Sequence, residues 1–174
     1  MNKDLFLEIL SWVAQATKHE TCEDNNGPCD LPYMVSVLFS DQQIETGVTT
    51  SRQGVIKAFR TIVDQSEVDE VACLALIADS FYQNMADDEI VPKAGELMLR
   101  FESGDFTVGE ALVVTVIDME KNESKAVQIP YKYDDWGHPK FDEPRAYNHD
   151  RLIVIDGMFE GRMVIDGKSV EIED

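Results

Sequence analysis

Apolar residues near the start of the chain recur with the spacing of one helix face. Phe6, Ile9, Leu10, Val13 and Ala16 follow the i, i+3, i+4, i+7 pattern, and Asn2 stands where a cap is needed, so a helix is predicted over 3–18. Residues 20–32 are polar and broken by Gly27-Pro28 and Pro32, which reads as a loop. Tyr33 to Phe39 is rich in strand formers. Thr49, Thr50 or Ser51 can then cap a second helix reaching about Gln65, with Val55, Ile56, Phe59, Ile62 and Val63 as its apolar stripe. Val71 to Tyr82 is apolar at alternate and intervening positions alike, the pattern of a central strand covered on both faces; a buried helix would give the same signal. An acidic loop over 83–92 and a short helix over Lys93 to Glu102, closed by Ser103-Gly104-Asp105, complete the first half.

The second half reads mainly as strand. Ala111 to Met119 and Lys125 to Tyr133 flank five residues of hairpin-loop length. Pro130 removes a ladder donor, so the second of these strands is expected at an edge or bulged there. Residues 134–150 read as a long irregular loop. Further strands are predicted near Leu152–Ile155 and Arg162–Ile165, each leading into Val-Ile-Asp-Gly. This order implies an α+β fold with a largely antiparallel central sheet, two main helices and one short helix, forming a single compact domain over 1–174.

Composition changes what such a fold is expected to do. The chain carries 34 acidic against 15 basic residues, a formal charge of −19. A field of that sign repels phosphate, so direct nucleic-acid binding is not expected. No apolar run reaches the length that spanning a bilayer requires, and no membrane role is expected. Asp4 and Glu8 interrupt the N-terminal apolar run, which does not read as a secretory signal, so Cys22, Cys29 and Cys73 are expected as reduced thiols in a cytoplasmic protein. The charge is clustered. Six acids and no base lie between Lys18 and Arg52, eight acids and no base lie between Arg60 and Lys93, and these stretches hold −14 of the total.

Candidate chemistry is sparse. Asp79 and Asp118 each follow an apolar run, and a carboxylate emerging from a buried strand can serve as a general acid or base. Residues 131–150 gather aromatics, carboxylates and histidines; His138, Asp142, His149 and Asp150 are the candidate metal ligands there, and Trp136 and Tyr147 the candidate recognition aromatics. The same stretch also fits an ordered connection pinned by its own aromatics. Asp69, Glu70, Asp87, Asp88 and Glu89 are the acids expected to face a partner. Cys22 and Cys29, with His19, could supply soft ligands to zinc, but structural sites usually show tighter Cys pairs and no second ligand pair follows, so a polar loop with incidental thiols is the plainer reading; a local disulfide is open to them under oxidation. There is no phosphate-binding glycine loop, no G-x-S-x-G and no evident Cys-His arrangement, and no cofactor is predicted.

The progression from VACLALIADSFYQN to EALVVTVIDMEKNESKAVQIPY, over about residues 70–133, resembles small uncharacterised proteins of bacteria and their phages. The resemblance implies a central strand followed by a long hairpin, and it implies no activity.

Three function classes follow. The first is a non-enzymatic acidic protein, of the kind a phage or plasmid uses as an inhibitor, engaging a basic protein surface. The second is a small metal-assisted enzyme using the carboxylates and histidines of 131–150. The third is a structural or assembly subunit, which apolar contacts would hold together at high salt.

Overall fold

The computed structural model describes residues 1–66, 70–83, 99, 101–104, 108–121, 123–146, 153–154, 162–165 and 168–171. Helix α1 (Lys3–Asp24) is followed by strands β1 (Tyr33–Phe39) and β2 (Ile44–Thr49), helix α2 (Arg52–Gln65), and strands β3 (Val71–Gln83), β4 (Val108–Asp118) and β5 (Glu123–Tyr133). Short strands β6 (Pro139–Phe141) and β7 (Arg145–Ala146) come next, then β8 (Ile153–Val154), β9 (Arg162–Ile165) and β10 (Lys168–Glu171). The first seven strands form one open antiparallel sheet in the order β2-β1-β3-β4-β5-β6, with β7 also on β5; β8, β9 and β10 form a separate three-stranded antiparallel sheet. The α+β class and the antiparallel sheet agree with the sequence pattern.

The larger sheet buries both faces, and the period of two along each strand sorts the residues between them. Val35, Val37, Phe39, Leu74, Leu76 and Ile117 pack with Val55 and Phe59 of α2. Leu38, Cys73, Ala75, Ile77, Leu112, Val114, Val116, Ile129 and Tyr131 pack with Phe6, Leu7, Leu10 and Ala14 of α1. This accounts for the doubly apolar middle of β3, where Leu74 and Leu76 serve one face and Cys73, Ala75 and Ile77 the other. Each large side chain fully removed from water in these two layers contributes roughly 1.5–3 kcal/mol.

Helix α1 corrects two expectations. It extends six residues past 18, because its stop lies at Asn25-Asn26-Gly27: Asn26 adopts φ 55°, Gly27 N–H donates to the Cys22 carbonyl at 3.0 Å, and Asn26 N–H donates to that of Glu23 at 3.1 Å. That is a Schellman closure with asparagine in the left-handed position. Its buried face is also rotated. Phe6, Leu7, Leu10, Ser11, Ala14, Lys18 and Cys22 point inward, whereas Ile9, Val13 and Ala16 are exposed. Asn2 caps the start, accepting from Leu5 N–H at 2.9 Å.

The remaining differences are local. Ser51 caps α2, accepting from Gly54 N–H at 3.0 Å, as one of the three cap candidates. Strands β2 and β10 carry no clear sequence signal, and 134–150 is not wholly irregular, since β6 and β7 lie within it. Pro130 is flanked on both sides of its strand. Its carbonyl accepts from Asp142 N–H at 2.8 Å, so its nitrogen faces the same side, in the gap where β5 leaves its pairing with β7 and takes up that with β6. The short helix expected over 93–102 lies mostly outside the described residues. At its end Ser103 N–H donates to the Leu99 carbonyl at 3.1 Å, and Gly104 closes the turn.

Candidate functional site

Helix α1 crosses the sheet with its first turn over the β4–β5 turn, where Lys3 meets Glu123 at 2.9 Å and Asp4 meets Lys125 at 3.0 Å. Its last turns therefore lie over the other end of the sheet, and there the chain gathers its buried polar groups. Lys18, with no exposed side-chain surface, places Nζ 2.6 Å from Asp79 Oδ2, and the Asp79 side chain is itself only 3% exposed. Asp79 Oδ2 also accepts from Leu31 N–H at 3.0 Å, and Asp79 Oδ1 accepts from the Tyr131 hydroxyl at 2.5 Å. Lys18 further donates to the Cys29 carbonyl, which accepts from the Tyr133 hydroxyl at 2.9 Å as well. The ammonium stands 4.7 Å from the Tyr131 ring centroid and 5.3 Å from that of Tyr133.

The electrostatics follow from this packing. Burial works against the Lys18 charge, but the hydrogen bonds to Asp79 and Tyr133 outweigh it and hold the ammonium above its ordinary range. Burial, then the Asp79 charge, pushes the Tyr131 hydroxyl strongly up, so it stays a donor. Glu110, opposite Tyr131 in the β4–β5 ladder, is raised by burial and next by Asp79. The cluster is a satisfied internal anchor that ties α1, the 25–32 loop, β3 and β5 together, and both Asp79 oxygens are engaged within it.

Directly outside this anchor the surface is acidic. Glu20, Glu23 and Asp24 are exposed at the end of α1, Asp30 is exposed on the following loop, and no base stands in the last turn of the helix. The helix dipole is already negative at this end. The turn between β5 and β6 closes over the same loop: the Asp134 carboxylate accepts from Trp136 N–H and His138 N–H at 2.9 Å each, and the His19 and His138 rings meet edge to face at 5.7 Å. Gly137, at φ 79°, approaches so closely that a Cβ there would stand 2.7 Å from Gly27 Cα. Its neighbour Trp136 is held outward, 76% exposed, beside exposed Asp135.

The other sequence-derived candidates are dispersed. Asp118 ends β4, six residues along that strand from Leu112, the partner of Asp79, so the two carboxylates are separated by about 20 Å of ladder. It caps the β4–β5 turn, accepting from Glu120 and Lys121 N–H at 3.0 Å, and lines an open polar cleft with Lys3, Lys121 and Lys125. Glu70 is exposed at the start of β3, where its carbonyl receives Ser40 N–H beside exposed Asp41, at the sheet end opposite Asp79. His138 Nδ1 lies 4.0 Å from Asp134 Oδ2, and Asp142 is exposed. Asp69, Asp87, Asp88, Glu89, Tyr147, His149 and Asp150 lie outside the described residues. Among the described residues no group of three or more His, Cys, Asp or Glu is disposed to hold a metal ion.

Sequence reasoning missed the anchor itself. Lys18 was placed at the end of a helix, and neither Tyr131 nor Tyr133 was linked to Asp79. A partial signal exists, because Lys18 continues the Leu7, Ser11, Ala14 side of α1 once that side is taken as the buried one. No family model, curated protein or solved structure matches the chain.

Proposed function

We propose that the chain is a non-enzymatic acidic binding protein that engages a basic surface of another protein through the C-terminal end of α1, the 25–32 loop and the Trp136 turn. The observation that carries this reading is the exposure of Glu20, Glu23 and Asp24 at the end of α1, where no base stands in the last turn and the preceding Lys18 is buried against Asp79. Glu23 and Asp24, in the last turn, oppose the helix dipole, each at a cost of roughly 0.3–1 kcal/mol. Local stability does not favour that choice, whereas a cationic partner would gain from both the side chains and the dipole. An exposed tryptophan beside these acids adds the aromatic contact that protein interfaces favour.

A second reading rests on a different face of the same helix. Leu5, Ile9, Trp12 and Val13 are exposed on α1, with Trp12 77% exposed, and this stripe suits a structural or assembly subunit held by apolar contacts. Salt separates the two. Affinity capture at about 0.15 M salt followed by stepwise elution to about 1 M should release a basic partner, because exposed charge contacts are screened over that range. The E20Q/E23Q/D24N variant should capture none of it, and D41N/E45Q should capture it as the wild type does. Sedimentation showing a homo-oligomer that persists at 1 M salt and dissociates on W12A, with no salt-released partner, would instead establish the assembly reading.

A further inference from the structure

The acidic end of α1 and the loop that follows it also carry a pair of thiols. Cys22 is in the last two turns of α1 and is fully buried; Cys29 lies seven residues later on the loop and is half-buried. Their sulfur atoms stand 2.7 Å apart, close enough for one thiol to donate to the other. The approach does not depend on a floppy loop, because the backbone is held at Cys29 and just beyond it: the Cys29 carbonyl receives Lys18 and Tyr133, and Leu31 N–H is bound to Asp79. On the helix side, Cys22 is the residue whose carbonyl receives Gly27 N–H in the Schellman closure. Two thiols held together by such independent restraints have lost most of the chain entropy that opposes bond formation between them.

We propose that Cys22 and Cys29 are a redox modification site, forming an intramolecular disulfide that clasps the end of α1 to the 25–32 loop. The oxidant is a small-molecule disulfide. The Cys29 thiol, the more accessible of the two, loses its proton to solvent and attacks one sulfur of the oxidant, releasing one thiolate that takes up a proton. Cys22 then loses its proton and attacks the Cys29 sulfur, the mixed disulfide breaks, and a second thiolate leaves and is protonated. Two protein thiols are oxidised to one disulfide, and one small disulfide is reduced to two thiols.

Cys73 does not take part, being buried in β3 opposite Asp118. Burial and the neighbouring Cys22 push the Cys29 thiol up to about 12, so little thiolate is present near neutrality and the clasp closes slowly there. The site is thus a slow, persistent modification, distinct in kind from a fast catalytic dithiol. It does not depend on the binding reading above.

The test uses the full chain, reduced and then incubated with oxidised glutathione at pH 8. The expected product has lost two hydrogens, about 2 Da, carries one remaining free thiol on Cys73, and yields a peptide linking Cys22 to Cys29. Its formation rate should rise steadily between pH 7 and pH 9. Its melting temperature should exceed that of the reduced chain and return to the reduced value with a dithiol reductant. C22S should stop at the glutathione adduct on Cys29. A wild-type chain that keeps three free thiols, that stops at a glutathione adduct, or whose disulfide melts below the reduced form would overturn the proposal.

Discussion

A lysine with no exposed side-chain surface is tolerated only where its charge is met. At Lys18 the Asp79 carboxylate, the Cys29 carbonyl and two tyrosine faces meet it. Replacing both charges of such a pair by apolar groups can be nearly neutral, but removing one leaves the other buried alone. K18M should therefore cost about 3–5 kcal/mol in urea unfolding, and Y131F, which removes one hydrogen bond to the same carboxylate, about 1.5–3 kcal/mol. A K18M loss under 1 kcal/mol would show that the pair is not the anchor described. Glu110, beside the same cluster, has the opposite effect. Its folded pKa is raised, so its contribution falls as pH climbs from the unfolded value near ~4.3 through the folded one, and it stays unfavourable at neutrality. E110Q is expected to melt higher than wild type at pH 7, with the gap closing below about pH 4. Parallel melting curves at every pH would contradict this.

Elements were legible in the sequence where period and length agreed, as in α2 and in β3, β4 and β5, whose apolar runs bury residues on both faces of the sheet. Helix α1 shows why the phase was harder. It has two apolar stripes, Phe6-Leu7-Leu10-Ala14 inward and Leu5-Ile9-Trp12-Val13 outward, and periodicity alone does not say which faces the core. A strand such as β2 has only intermediate and exposed positions and packs mainly through its neighbours, so no alternation marked it. The buried anchor was less legible still. Asp79 was marked by its position after an apolar run, but the lysine, the two tyrosines and the backbone of the 25–32 loop that complete it come from three other elements, and only tertiary packing assembles them. Trp136 stood out by composition, whereas its outward pose depends on the close approach of Gly137 to Gly27, which no local pattern announces.

At the scale of the whole molecule the charge of −19 acts on stability as well as on recognition. The two acidic stretches do not collect at one end among the described residues: Glu20, Glu23, Asp24 and Asp30 lie beyond the Asp79 end of the sheet, while Asp41 and Glu70 lie at the other. Repulsion is thus spread along the fold, with its sharpest concentration at the end of α1, where the helix dipole adds to it. Added salt shortens the screening length from about 10 Å at 0.1 M to about 3 Å at 1 M, which weakens like-charge repulsion between neighbouring exposed acids while leaving the buried Lys18–Asp79 pair nearly untouched. The melting temperature should accordingly rise with sodium chloride, most steeply below about 0.2 M, and potassium chloride should give the same curve because screening depends on ionic strength alone. E20Q/E23Q/D24N should melt higher than wild type at low salt and respond less to added salt. D4N/E123Q should melt lower, since those acids pair with Lys125 and Lys3. A melting temperature that stays flat or falls with salt would mean that favourable surface pairs outweigh the excess of acids, and the acidic end of α1 would then lose its claim to be held against the fold's own electrostatics.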